Sequence, residues 1–131
     1  MLATTPMRHA KAYGQMAIQT RTATTDAHGL IYLLFDAVDE QLSIALGALD
    51  AGDTERRGKA VNKSLLLIQQ GLRGGLDLER GGDLAAQLDS LYEYCATRLV
   101  EAHASRSRPI FEEVRTCLRT VFDGWKAIRP Q

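Results

Sequence analysis

A chain of 131 residues, 45% of them apolar, has room for one domain with a core of its own and needs neither disulfides nor a structural metal. A formal net charge of zero excludes a general attraction to nucleic acid or to an anionic membrane. No apolar run approaches membrane-spanning length and the N-terminus lacks a signal-peptide core, so a soluble cytoplasmic protein is expected, with no membrane insertion.

Residues 1–24 form the first unit. From Met1 to Thr25 there is no Asp or Glu, while Arg8, Lys11 and Arg21 are basic, and threonines abound. Weak periodicity predicts a mobile arm or a short cap helix there. Residues 25–131 form the second unit and parse into four helices. The first has Thr25 or Asp26 as its cap and runs to about Ala51, where Gly52 and Asp53 break it. The second begins near Thr54, whose hydroxyl is a candidate cap, and ends near the pair Gly74-Gly75. A second pair, Gly81-Gly82, precedes Asp83, which is placed to cap a third helix reaching about His103. The fourth starts at Pro109, a residue suited to a first helical turn, and stops before Pro130. Short links favour antiparallel neighbours, so the expected fold is all-α, an up-down four-helix bundle.

Helical wheels give each segment a core stripe. Helix three presents Leu84, Leu88, Leu91, Cys95, Leu99 and Ala102. Helix four presents Ile110, Val114, Cys117, Leu118, Val121, Trp125 and Ile128. Helix one has Leu30, Leu34, Val38, Ala45 and Leu49, but Ile31, Phe35, Leu42 and Leu46 widen its apolar arc to roughly 220°, against about 100° for an ordinary surface helix. Helix two has a core stripe of Val61, Leu65, Ile68, Leu72 and Leu76. Beside it lies a smoother strip, Ala60, Ser64, Leu67, Gly71 and Gly74, that another helix could approach closely. Either helix one is central to the bundle and the arm covers its remainder, or the surplus surface is a groove for a partner's amphipathic helix.

Catalytic patterns fail on spacing. The stretch GDTERRGK at 52–59 has one residue too many between its glycines for a phosphate loop, lacks the hydroxyl after its lysine and follows no strand. His9, His28 and His103 are dispersed, without Cys or acidic partners at metal-ligand intervals, and the core stripes hold no inward carboxylates for a di-iron site. No enzyme activity, metal or cofactor is expected. Cys95 and Cys117 read as buried free thiols. The rival with chemistry is a signalling or phosphotransfer bundle using an exposed His28 or His103, though neither carries the lysine and small residues that usually follow such a histidine.

Ordered pieces along most of the chain carry a resemblance. They are AYGQ at 12–15, LIYLLFDAV at 30–38, AGDTERRGKAVNKSLLLI at 51–68, GLRGGLDLERGGDLAAQLDSLYEY at 71–94, RLVEAH at 98–103 and GWKAI at 124–128. In this order and spacing the chain resembles the flagellin-specific export chaperones of bacterial flagella, the FliS family. It departs from them in TRTATTDAHG at 20–29, where members more often show a serine-proline helix start, and in Cys95, where methionine is common.

The resemblance implies a four-helix chaperone of the cytoplasm. It would bind the C-terminal segment of flagellin, prevent premature polymerisation and assist delivery for export. Flagellar export gate components or a co-chaperone would be further partners, and the unliganded protein could form a homodimer through its spare apolar surface. On this reading the flagellin-binding groove depends on Ile31, Phe35, Leu66 and Leu67, with Gly71 and Gly74 permitting close helix approach. The family's N-terminal tyrosine that covers the binding surface is matched by Tyr13, so Tyr13 with Met7 and Met16 would form a removable cap over the groove.

Overall fold

The computed structural model describes residues 27–127. Every regular element among them is helical. Helix α1 spans Ala27–Ala51. Helix α2 spans Thr54–Leu66 and continues without a break into a π-helical segment, Leu67–Arg73. Helix α3 spans Gly82–Ser105 and α4 spans Arg108–Ala127. Helix α1 packs against α2 and α4, while α3 packs against α4 and against α2 with its π segment. The four helices therefore close a ring in chain order. Ion pairs fix the antiparallel directions, with Asp50 near the end of α1 meeting Arg108 at the start of α4 and Arg73 meeting Asp89 early in α3.

The links show why the helices stop where they do. Gly52 turns the chain at φ +69°, a conformation that a side chain would strain. The cap of α2 is Asp53 and not Thr54: its carboxylate accepts the Arg56 amide at 3.0 Å. Asp83 likewise does not cap α3. Gly82, at φ +57°, already belongs to the helix, and Asp83 sits in the first turn, where its charge opposes the dipole. Helix α3 outlasts His103 by two residues and ends on Arg106 in left-handed conformation. The Ser107 hydroxyl accepts the Ile110 amide at 3.3 Å, so α4 begins with Arg108, one residue before Pro109.

The core departs from the wheels in phase. Phe111 is fully buried, the largest such side chain, whereas the wheel placed Ile110 inward, and Ile110 is only half-buried. Buried Phe111, Val114 and Leu118 put the inward face of α4 roughly 50° from the expected stripe. On α3 the same rotation buries Tyr92 and Ala96. It leaves Leu84, in the first turn at the bundle's end, 62% exposed. Leu30 is also exposed, near the start of α1. Ile128 lies outside the described residues.

The wide apolar face of α1 is accounted for by its two neighbours. Phe35, Leu42 and Leu46 are buried in the core together with Leu34, Val38 and Ala45. Phe35 stacks on Phe122 of α4 at 5.2 Å between ring centres and meets Tyr92 of α3 at 6.4 Å. The small-residue strip of α2 is occupied as well. Ala60 and Ser64 are buried, and a Cβ at Gly71 would stand 2.9 Å from Leu34 Cδ2 of α1. At Gly71 the close helix approach foreseen for that strip is made within the chain, by α1.

Asp39 of α1 receives Arg115 at 2.8 Å and Arg119 at 3.0 Å from α4. The Arg115 bond, opposed by burial and aided by the charges of Arg115 and Arg119, holds the carboxyl below its ordinary value of 3.8. A group whose folded pKa is depressed adds stability above its unfolded pKa and loses it as pH falls below. Asp39→Asn should therefore lower stability at neutral pH by about 0.5–1 kcal/mol, a modest sum because the pair is partly solvated. Urea unfolding of the two proteins should show the gap closing as the medium is acidified below 3.8; a gap independent of pH would contradict the assignment.

Candidate functional site

An open groove of about 840 Å³ runs along the seam of α2 and α3. Leu65, Leu66, Ala96 and Val100 give it an apolar floor, and Asn62, Gln69, Gln70 and Thr97 give it a polar rim. Alanine and threonine on α3 are too short to fill the space facing the leucines of α2, so the seam stays open. Val100 is 53% exposed, a large apolar side chain left in water by the bundle's own packing.

A polar clasp between the same two helices bounds each end. At one end Arg73 Nε donates to Asp89 at 2.6 Å, and its Nη atoms donate to Glu93 at 2.7 Å and to Gln69 at 3.1 Å. Beyond the other end, more than a turn before Asn62 and just past Val100, Arg57 Nε donates to His103 Nδ1 at 3.0 Å. That bond requires a neutral imidazole with its proton on Nε2. Burial, with the Arg57 charge, pushes the ring's pKa below 6.5. His103 is thus half-buried and engaged by an arginine, which does not suit the exposed nucleophile of a phosphotransfer bundle.

Of the residues expected in a groove, Leu66 lines this one. Phe35 is 3% exposed and belongs to the core; it also edges a smaller cleft of about 230 Å³ between α1 and α4, beside Asp39 and Arg119. Ile31 and Leu67 are half-buried and pack against the core. Gly71 lies under Leu34, and Gly74 is exposed at the end of the π segment, where a Cβ would collide with the Gln70 carbonyl. Of the six, Leu66 alone lines the α2–α3 groove. Met7, Tyr13, Met16 and His9 lie outside the described residues, and His28 falls in the first turn of α1. The groove residues that the wheels passed over are Asn62, Gln69, Gln70 and Arg73 on α2 and its π segment and Ala96, Thr97 and Val100 on α3. Val100 carried a signal, being an apolar residue on α3 that belonged to no core stripe.

Cys95 is buried, and burial with the neighbouring Cys117 pushes its thiol up to about 12, so it stays protonated and packs as an apolar group. Among the described residues no group of three or more His, Cys, Asp or Glu could hold a metal ion, and no helix is long and apolar enough to cross a membrane.

A cleft between helices, lined by a leucine pair and amides, binds a chain segment more readily than it performs chemistry. Comparison with known proteins points the same way. The family described as Flagellar protein FliS matches residues 9–131. The chain is 36% identical over 121 residues to the Flagellar secretion chaperone FliS of Salmonella typhimurium, covering 92% of this chain and 90% of that one. It is 39% identical over 122 residues to the Flagellar secretion chaperone FliSB of Pseudomonas aeruginosa, covering 93% and 96%. A more distant relative, the Flagellar secretion chaperone FliS of Bacillus subtilis, is 26% identical over 115 residues, covering 88% and 81%. With its helical bundle, its open seam and these matches along nearly its whole length, the chain belongs to the FliS family of flagellar secretion chaperones, which are not enzymes.

Proposed function

We propose that this protein works in the cytoplasm as a chaperone for flagellin. It holds flagellin's C-terminal segment in the α2–α3 groove, so that the subunit neither polymerises early nor misses its delivery for export. The observation that carries the reading is the groove itself, whose apolar floor ends in an exposed Val100. An amphipathic segment would lay its apolar face on Leu65, Leu66 and Val100 and present its polar flank to Gln69, Gln70 and Asn62. Flagellin would gain order on binding, because a segment that folds onto a surface buries apolar area and gives a negative heat-capacity change.

Calorimetry with cognate flagellin tests this. Full-length flagellin should bind at about one-to-one with a negative heat-capacity change, and flagellin lacking its C-terminal segment should not. Equal binding of the two forms would overturn the proposal. Val100→Asp puts a carboxylate on the groove floor at a position the fold leaves in water. Affinity should fall by about 30-fold, the size of a hot-spot loss near 2 kcal/mol. The melting temperature should barely move, as for other exposed substitutions. An unchanged affinity would remove the groove from the binding site.

A further inference from the structure

We propose that Arg57 and His103 form an acid-released clasp between α2 and α3, which holds one end of the groove shut at neutral pH and opens it when the imidazole takes up a proton. The consequence for a bound ligand rests on the groove reading above; the clasp itself does not.

The geometry carries the argument. Arg57 is 3% exposed and carries a guanidinium cation. It spends its Nε proton on His103 Nδ1 at 3.0 Å. A neutral imidazole has a single acceptor nitrogen, and this bond uses it. A protonated ring has none. The contact would then set donor against donor and cation against cation, at a site too buried for water to screen them fully. One partner has to leave. Arg57 is enclosed, whereas His103 is half-buried near the end of α3, so release means that the ring turns outward and the seam loses its fastening there. Gly58 lies beside the ring, where a Cβ would stand 3.7 Å from it, and leaves that side of the imidazole unobstructed by a side chain.

Several other charges on these helices have partners of their own. On α2, Glu55 is paired with Lys59. On α3 and α4, Arg98 is held by Glu101 and Glu113. Between α1 and α4, Asp50 is held by Arg108. The charge that acts on the ring is that of Arg57, and with burial it disfavours the imidazolium. The sign follows. A histidine whose folded pKa is depressed contributes stability above its unfolded pKa, and that contribution is lost as pH falls through 6.5 toward the folded value. The clasp at the opposite end joins Arg73 to Asp89 and Glu93 and contains no histidine, so the loosening belongs to the Arg57 end.

The test uses the full chain and the variant His103→Gln, whose amide oxygen can accept from Arg57 and cannot titrate. Hydrogen exchange of the first two turns of α2, corrected for the intrinsic pH dependence of amide exchange, should quicken about tenfold between about pH 7.5 and about pH 5 in the natural protein. In the variant it should stay level, which separates this ring from His9 and His28. A ring titration followed by NMR should place the His103 midpoint below the ordinary 6.5. An acid response of equal size in the variant, or a midpoint at or above 6.5, would overturn the clasp. The ring titration stands on its own if the variant fails to fold. Binding of a flagellin C-terminal peptide at neutral pH is measured separately. No binding there, with the exchange response intact, would remove the groove reading and leave the clasp standing.

Discussion

Replacing Phe111 by alanine should destabilise the bundle by about 3–5 kcal/mol, the range for emptying a buried aromatic site. The ring is fully buried in the first turn of α4, among the core side chains of a face that the wheel had assigned to Ile110. Burial of such a side chain contributes about 1.5–3 kcal/mol by transfer alone, and the cavity adds to the loss because a helix tied down by Ser107 and by the Arg108–Asp50 pair cannot collapse into it. Ile110→Ala, at a half-buried position, should cost less than half as much. Chemical denaturation of the two variants decides the matter. Equal losses would return the inward face of α4 to the phase read from the sequence.

Gly71→Leu should cost about 1–3 kcal/mol, with larger values in reach, since added bulk in a packed seam forces side chains off their rotamers and backbones apart. A Cβ alone would already stand 2.9 Å from the Leu34 side chain, and a whole leucine must push α1 away from the π segment. The substitution discriminates between two uses of the small-residue strip. If the strip serves α1, thermal melting falls sharply and flagellin affinity suffers only through the damaged fold. If it served a partner directly, the melting temperature would hold while binding failed. The first outcome is the one expected from this packing.

Both results bear on what could be read before the fold was known. Helix number, order and antiparallel arrangement were legible, because each segment carried a 3.6-residue apolar period and each break carried a glycine or a cap. Phase was less so. Ile110 and Phe111 are adjacent apolar residues, and a wheel cannot choose between faces roughly 100° apart when both are apolar. Caps were ambiguous for the same kind of reason, with Asp53 and Thr54 both able to accept an amide. The surplus apolar face of α1 was the harder lesson. A helix with two packed neighbours must be apolar over a wide arc, and the sequence of α1 alone does not say how many neighbours it has. The groove was hidden because it is a property of a pair of helices. Short Ala96 and Thr97 matter only once α3 is set beside Leu65 and Leu66, and the helix-by-helix wheels had no way to set them there.

The π-helical stretch Leu67–Arg73 acts as a phase corrector in the helix that begins as α2. Its widened turn is visible where the Gly74 amide reaches back five residues to the Gln69 carbonyl at 3.0 Å. Such a turn is an α-helix that has absorbed one surplus residue. Upstream, the helix is timed to bury Ala60 and Ser64; at the end of the stretch, it is timed to aim Arg73 at the carboxylates of α3. Had the helix stayed in α geometry through the stretch, the surplus residue would have swung everything beyond it by roughly 100°. Arg73 would then have missed Asp89. The two halves of this helix keep their separate appointments only because the widened turn takes up the residue that a regular helix could not.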